Sequence, residues 1–467
     1  MQIFRPDPMH PIRKRLWQAT AALALVMSVL VVREAVVRNM DGSHRLSLGE
    51  DFLPVYAAGR LVREGRSAEL YAMDPLARIE RQVVAEADLE PLPIYGPFLN
   101  PPFFAALYAA FAALPYRPAL CVWLGFNLLL IAGSAALLCR MMPRKVGPLT
   151  WGLIPLLLVL PLPFWEAMCH QQNTFLSLFI LCGVVTLWRG RGTRRCARAY
   201  GRTPLHAEGT RRVPLHDVLC GGLAGLLFYK PQLALAVAIV LVLTRGWRAM
   251  LGLAITGSLL LLFTLWQMPG TLTAFLHSLP PTIHWMRTAL PYNWGRQVTP
   301  QSFWRLVIQG HVIGETNALP KTLAIATALG FAGMLAIAVI RYLRWGSDRA
   351  QSLDRLIAAT IAAMPLMMPY YMDYDLTLLA IPAVLLAAEW VRTPATITQS
   401  DRWLFAAWIA LFLEFYGNPG LGTHARLNLA VPLIGIVAGL SISRCLRREV
   451  ATEAVDRYDA PELSAAA

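Results

Sequence analysis

The sequence predicts an all-α protein embedded in a membrane, and three observations lead to this prediction. Hydrophobic residues make up 56% of the 467 residues and charged residues only 15%, whereas soluble domains contain roughly 25% charged residues. Apolar runs recur from Leu16 to Ile442, as expected of a series of bilayer-spanning helices. Clusters of arginine separate these runs, so the net charge of +14 marks cytoplasmic loops rather than a nucleic-acid-binding surface.

The positive-inside rule assigns a side of the membrane to each predicted span, because Lys and Arg are enriched in cytoplasmic loops. The chain starts inside at Arg13, and its strongest cytoplasmic marker is the arginine-rich loop 189–217. Twelve crossings result, over residues 16–32, 119–139, 147–164, 174–188, a hairpin of two short helices in 218–244, 251–268, 323–340, 352–368, 376–391, 403–416 and 427–442. We therefore expect a multi-pass protein of the bacterial inner (plasma) membrane with both termini in the cytoplasm.

One transmembrane domain, residues 1–445, accounts for nearly the whole chain, and the tail 446–467 is expected to be disordered. Long extracytoplasmic loops are predicted over 33–118 and 269–320. Within the first loop, the apolar run 103–114 is interpreted as an interfacial helix. It is shorter than the ~20 residues of a full span, and counting it as a crossing would place the next basic cluster outside.

Asp51 is the first candidate for chemistry. Ser47 followed by Glu50 resembles a capping box, which predicts a helix over residues 48–64. Asp51 would lie near the start of this helix in the first external loop, with Tyr56 further along the same helix. Asp51 is therefore a functional candidate, or it simply complements the helix dipole.

Further external turns carry polar side chains. Asp373 and Asp375 flank Tyr374 where one predicted span turns back into the next, and Gln172 with Asn173 lies at another turn. These groups could bind substrate, or they could be ordinary loop acids and helix caps.

Lys230 is an isolated cation between apolar segments, next to a proline that breaks the helix. Ionisable groups at membrane depth are costly and are therefore functional candidates. Lys230 could bind an anion such as a phosphate at the external side, or its side chain could reach an interface by snorkelling.

Nucleotide and metal motifs are absent from the sequence. It contains no GxxxxGK[ST], GxGxxG or HExxH segment, and its seven cysteines lack metal-binding spacing. We therefore expect neither a metal nor another cofactor, and no soluble nucleotide donor.

Several short segments occur in a characteristic order along the chain. They are Asp51-Phe52, Tyr56-Ala57-Ala58-Gly59, Leu70-Tyr71, Asn100-Pro101-Pro102-Phe103, Gln171-Gln172-Asn173, Lys230-Pro231, and Tyr374-Asp375-Leu376 with Pro382. In this order the chain resembles glycosyltransferase family 87, a family of integral-membrane enzymes of the GT-C type related to polyprenyl-phosphate-mannose-dependent mannosyltransferases.

The resemblance implies transfer of a mannose-like hexose, with inversion, from a polyprenyl phosphate to a lipid or glycan acceptor on the extracytoplasmic face. It also implies that Asp51 is the base, that Asn100 belongs to the substrate-binding residues, and that membrane lipids surround the protein. The leaving lipid phosphate requires positive charge, for which Lys230 is the candidate, with Arg287 or Arg296 of the loop 269–320 as substitutes.

The chain departs from the family pattern at two places. Gly-Gln is frequent at the glutamine turn, where this chain has His170 followed by Gln171. Some members carry a histidine near the position of Tyr374, where this chain has none.

Two alternative functions remain open. A transporter or flippase would usually show internal repeats, and the two halves of this chain show no convincing similarity. A surface-polysaccharide polymerase or ligase would use similar lipid-linked substrates on the same side of the membrane.

Overall fold

A computed structural model describes most of the chain, namely Gly49, scattered helical positions between 18 and 29, and residues 51–89, 95–143, 149–190, 214–346, 350–392 and 397–447. This part is all-helical, which confirms the predicted class, and its one β-type contact is a bridge between Gln297 and Met372. The arginine-rich segment 191–213 and residues 448–467 lie outside the described residues.

Three helices form the first predicted external loop. They are α1 (Phe52–Arg63), α2 (Met73–Glu86) and α3 (Pro102–Phe111). The first begins after Asp51, four residues later than predicted, and the Asp51 side chain makes no capping hydrogen bond. Ser47 and Glu50 of the predicted capping box lie outside the described residues. The third coincides with the predicted interfacial helix.

The remaining fourteen helices are α4 (Tyr116–Met141), α5 (Leu149–Val159), α6 (Leu162–His170), α7 (Thr174–Arg189), α8 (Pro214–Gly225), α9 (Pro231–Arg245), α10 (Trp247–Gln267), α11 (Thr271–Thr288), α12 (Pro300–Gln309), α13 (Ala318–Arg341), α14 (Ala350–Met367), α15 (Ala380–Arg392), α16 (Gln399–His424) and α17 (Ala430–Leu446). Every predicted span from residue 119 onwards coincides with one of these helices or with a broken pair of them. Lys230 lies at one such break, between the 3-10 turn Leu226–Tyr229 and α9.

Four described helices are long and apolar enough to cross a membrane, namely Tyr116–Met141, Trp247–Gln267, Ala318–Trp345 and Asp373–Arg392. The pair α5 and α6, bent by 66°, brings the number to five if it counts as one span. Large apolar side chains on these helices face outward, for example Trp266 and Leu329, which are 78% and 66% exposed. This surface fits lipid contact, while the total of twelve crossings stays a prediction.

A network of ion pairs joins helix ends on the side predicted to be cytoplasmic. The Asp354 carboxylate contacts Arg189 at 2.7 Å and Arg392 at 3.1 Å, and the Glu389 carboxylate contacts Arg444 at 2.8 Å. These contacts connect α7, α14, α15 and α17. The opposite ends of the same helices converge on the polar side chains of the candidate site.

Helices α1 and α3 approach each other closely at Gly59. A Cβ atom at this position would lie 2.4 Å from the backbone carbonyl carbon of Tyr108, and backbone atoms cannot move aside as a flexible side chain can. Glycine therefore allows the first external helix to pack directly on the interfacial helix.

We expect Gly59→Ala to lower the free energy of unfolding by about 1–3 kcal/mol, because the added methyl group forces the two helices apart. Gly125→Ala is the matched control, since Gly125 is also helical and a Cβ there meets no atom within 4 Å. The measurement is the thermal midpoint of each purified variant in detergent. Equal midpoints for the two variants would contradict this description of the α1–α3 contact.

Candidate active site

Asp51 lies between the start of α1 and the turn that joins α6 to α7. Its carboxylate accepts a hydrogen bond of 2.5 Å from Gln172 Nε2, and His170 Nδ1 lies 3.7 Å from the same oxygen. The Asp51 side chain is 45% exposed. The structure thus brings two of the predicted site residues together and leaves the carboxylate accessible.

The turn that presents Gln172 is held by its neighbour, Gln171. This residue ends α6 in a left-handed conformation with φ of 55°, which is uncommon for a residue other than glycine. The side chain of Asn127 donates to Gln171 Oε1 at 3.2 Å, and the indole of Trp123 donates to its carbonyl at 3.2 Å. These buried contacts stabilise the conformation and direct the next side chain toward Asp51.

Arg296 connects the loop after α11 to two acids. Its guanidinium contacts Asp373 at 2.9 Å and Glu166 at 3.0 Å, and it also lies 3.0 Å from His170 Nε2. Burial works against the charged form of Arg296, but the two carboxylates outweigh it and raise the pKa of the guanidinium. Arg296 therefore stays charged and is already neutralised by its partners.

Backbone contacts place Arg296 in this position. The amide of Val298 donates to the carbonyl of Tyr371 at 2.8 Å, and Gln297 Nε2 donates to that of Pro369 at 3.0 Å. The buried Asn428 side chain donates to the carbonyl of Gly295 at 2.9 Å. The loop and the segment before Asp373 consequently form one unit.

Lys230 and Asp375 form a buried ion pair. Lys230 Nζ lies 3.0 Å from Asp375 Oδ1, which also accepts a 2.8 Å hydrogen bond from Thr174. The two charged side chains are only 8% and 1% exposed. The ammonium group also lies 5.3 Å from the centre of the Tyr374 ring, a cation–π contact. The break before α9 is thereby fixed to the start of the 3-10 turn Asp373–Leu379.

Arg287 differs from the other two predicted cations. It donates to the carbonyl of Pro369 at 3.1 Å and lies over the rings of Tyr292 and Trp294, at 5.9 and 5.8 Å. Among the residues that the structure describes, no carboxylate forms an ion pair with it. Its positive charge is therefore the least compensated of the three.

Tyr370 lies near the predicted site residues. Burial raises the pKa of its hydroxyl, and Tyr292, Asp375 and Asp51 add to the increase. Because a charge shifts a pKa only over a short distance, the Tyr370 hydroxyl lies near these three side chains.

Three other residues predicted to bind substrate form hydrogen bonds within the protein. The Tyr56 hydroxyl donates to the carbonyl of Leu114 at 2.8 Å, and the carbonyl of Asn100 accepts from a tyrosine hydroxyl at 2.8 Å. The carbonyl of Asn173 accepts from the Tyr229 hydroxyl at 3.2 Å. In the described part of the chain, no hydrogen bond joins these three residues to Asp51.

Sequence reasoning did not identify Glu166 or Thr174, and it noted His170 only as a departure. Glu166 had a detectable signal, since it is an acid within an apolar run, one helical turn before His170. Thr174 had none, because its role depends on an acid 201 residues away in the sequence.

An apolar groove of about 1360 Å³, a volume that includes space open to the outside, adjoins this polar cluster. Side chains of α4, α5, α6, α15 and α16 line it. One part lies beside the cluster, at Phe164 and Leu376, and another reaches Met142 and Val391, next to Arg392, which is predicted to be cytoplasmic. The groove therefore runs along the helices from the polar site toward the opposite side.

Together, the outward-facing apolar helices and the polar cluster at one end of them define an integral membrane protein with a candidate site at the membrane boundary. The family model of glycosyltransferase family 87 matches residues 98–369, more than half of the chain. The chain belongs to glycosyltransferase family 87, and the suspected resemblance is confirmed. No curated protein matches the chain, and no solved structure matches it either.

We expect Lys230→Met to lower the free energy of unfolding by about 3–5 kcal/mol, because it leaves the buried Asp375 charge without its partner. Adding Asp375→Asn to this variant removes the uncompensated charge and should restore part of the loss. The thermal midpoints of both single variants and the double variant measure this coupling. If the stability losses of the two single variants simply add in the double variant, Lys230 and Asp375 are not coupled, and the ion pair does not stabilise the fold as described.

Proposed function

We propose that this protein is a membrane hexosyltransferase of the GT-C type. It transfers a mannose-like hexose from a polyprenyl phosphate to a lipid or glycan acceptor on the extracytoplasmic face, with inversion. The observation that carries this proposal is the accessible Asp51 carboxylate, oriented by Gln172, next to an apolar groove. Membership of a glycosyltransferase family supports the reaction class.

Asp51 acts as the general base of this reaction. An acceptor hydroxyl transfers its proton to the carboxylate while its oxygen attacks the anomeric carbon of the hexose. The bond between that carbon and the phosphate oxygen breaks, and the electron pair leaves with the polyprenyl phosphate. A positioned base contributes roughly 10²–10⁴-fold to the rate of such a step.

The groove accommodates the polyprenyl chain. Its lining is almost entirely hydrocarbon and aromatic, which suits a chain without polar groups. Its end at Phe164 and Leu376 lies beside Glu166 and Asp375, so a chain bound there would place its phosphate at the polar cluster. A transporter would instead hold its polar site near the middle of the bilayer.

Arg287 binds the donor phosphate. In the sequence Lys230 was the first candidate and Arg296 a substitute, but carboxylates already pair with both of them. A phosphate would have to displace these acids or lie next to them. Arg287 can offer its guanidinium without breaking an ion pair, and guanidinium matches the geometry of phosphate oxygens.

A surface-polysaccharide polymerase or ligase is the second candidate, since it would also bind a lipid chain in the groove. The two functions differ in the donor. A hexosyltransferase uses a single sugar on a lipid phosphate, whereas the polymerase or ligase uses a lipid-linked glycan.

We expect Asp51→Asn to reduce kcat for hexose transfer by about 10²–10⁴-fold, because an amide cannot take up the proton of the acceptor. The matched control is Asp74→Asn, which changes an exposed aspartate of the same external loop and should leave kcat unchanged. The assay follows radiolabelled hexose from a polyprenyl-phosphate donor into the acceptor fraction. Wild-type activity in the Asp51→Asn variant would exclude Asp51 as the base.

We expect Arg287→Gln to raise KM for the polyprenyl-phosphate hexose about tenfold or more, because the donor phosphate loses a charged hydrogen-bond partner worth roughly 1.5–3 kcal/mol. Arg287→Lys keeps the charge and should recover part of the affinity. Lys321→Gln serves as control, since Lys321 already pairs with Glu315. An unchanged donor KM in Arg287→Gln would assign the phosphate to another cation.

A further inference from the structure

We propose that His170 is a proton-relay residue, which takes the acceptor's proton from Asp51 and passes it out of the site. This inference rests on the proposed function, because it concerns the proton that the transfer reaction releases. The family resemblance assigns no role to His170, and the chain departs from the common pattern at this position.

The imidazole of His170 lies between Asp51 and a second carboxylate. Its Nδ1 atom is 3.7 Å from Asp51 Oδ2, and its Nε2 atom is 3.3 Å from Glu166 Oε2 and 3.0 Å from the guanidinium of Arg296. The side chain is 20% exposed. It is therefore fixed inside the site and still accessible to water.

The carboxylate of Glu166 orients the ring for proton uptake. Nε2 lies near an acceptor, Glu166, and near a donor, the guanidinium of Arg296. In the neutral tautomer whose Nε2 carries the hydrogen, Nε2 donates to Glu166, and the lone pair of Nδ1 faces Asp51. A carboxylate on one ring nitrogen likewise orients the histidine base of the Ser-His-Asp triad. After proton uptake, Nδ1 faces Asp51, and Nε2 faces Glu166 beside Arg296.

The charges around the ring favour uptake of a proton. Asp51 faces it from the start of α1, Glu166 from α6, and Arg296 from the loop after α11, where Asp373 pairs with the guanidinium. Burial and the guanidinium of Arg296 work against the imidazolium, but the carboxylates of Glu166 and Asp51 outweigh them and raise the pKa of His170.

Each proton transfer in the relay has a donor and an acceptor. The acceptor hydroxyl loses its proton to Asp51 as the new glycosidic bond forms and the phosphate leaves. The Asp51 carboxylic acid then transfers this proton to Nδ1 of His170, which restores the carboxylate and produces an imidazolium. The imidazolium releases the proton to water. The 3.7 Å separation must shorten to hydrogen-bond reach or be bridged by one water for the transfer.

The first test compares the pH dependence of transfer in wild type and in His170→Gln. With the relay, kcat of the wild type should fall on the acidic side through an ionisation above the usual histidine value of about 6.5, because the facing carboxylates raise the pKa of His170. His170→Gln should lose roughly tenfold to 100-fold in kcat at pH 7.5 and should lack this ionisation. His284→Gln is the control, because His284 also contacts a carboxylate but is 63% exposed on α11.

A fall in kcat with the ionisation retained would show that His170 only positions Asp51, and the relay would be wrong. Wild-type protein that transfers no hexose from any polyprenyl phosphate would refute the proposed function itself, so the two failures are distinguishable.

The second test does not depend on activity or on the stability of His170→Gln. The NMR titration of the His170 imidazole is measured in wild type and in Asp51→Asn. Loss of the facing carboxylate should move its midpoint to lower pH by about one unit or more. An unchanged midpoint would show that the two side chains are not coupled and would overturn the relay.

Discussion

The pairing of buried charges at one end of the helices is the constraint on which the site depends. Lys230 and Asp375 lie almost completely out of solvent, and neither charge could remain there alone. Their contact fixes the break before α9 against the turn before α15, while Arg296 fixes the loop after α11 against Glu166 and Asp373. Four segments that are distant in the sequence thereby acquire one geometry, and the apolar groove opens beside them.

The same constraint separates structural charges from those available for chemistry. Lys230 and Arg296 satisfy neighbouring carboxylates, and their substitution should disturb the fold as well as the site. Asp51 is different, since its carboxylate is bound mainly by a neutral amide and is nearly half exposed. Arg287 is held by a carbonyl and by aromatic rings. An accessible acid and a weakly compensated cation are the two groups that a base and a phosphate-binding residue require.

Hydropathy and arginine clusters predicted the all-helical class, the short helix α3 and the positions of the helices from α4 onwards except α11 and α12, because these signals are local in the sequence. The helices α11 and α12 lie within the segment 269–320, which was predicted as a loop. The pairing of polar side chains, in contrast, joins residues that are far apart in the sequence. Gln172 and Asp51 are 121 residues apart, and Lys230 and Asp375 are 145 residues apart. The sequence therefore indicated three cations that could bind a phosphate, but it could not show which of them form ion pairs with carboxylates. The role of His170 likewise depends on the geometry of a ring between two acids, and the apolar groove depends on the packing of five helices that are distant in the sequence.

The most direct measurement of the central claim is product analysis by mass spectrometry and NMR. Purified wild-type protein in lipid nanodiscs is incubated with a panel of polyprenyl-phosphate hexoses, with nucleotide sugars and with a mixture of lipid and glycan acceptors. We predict that one of the polyprenyl-phosphate hexoses yields free polyprenyl phosphate and a glycosylated acceptor of inverted anomeric configuration. Transfer from a nucleotide sugar only, or a product that retains the configuration of the donor, would contradict the proposed reaction.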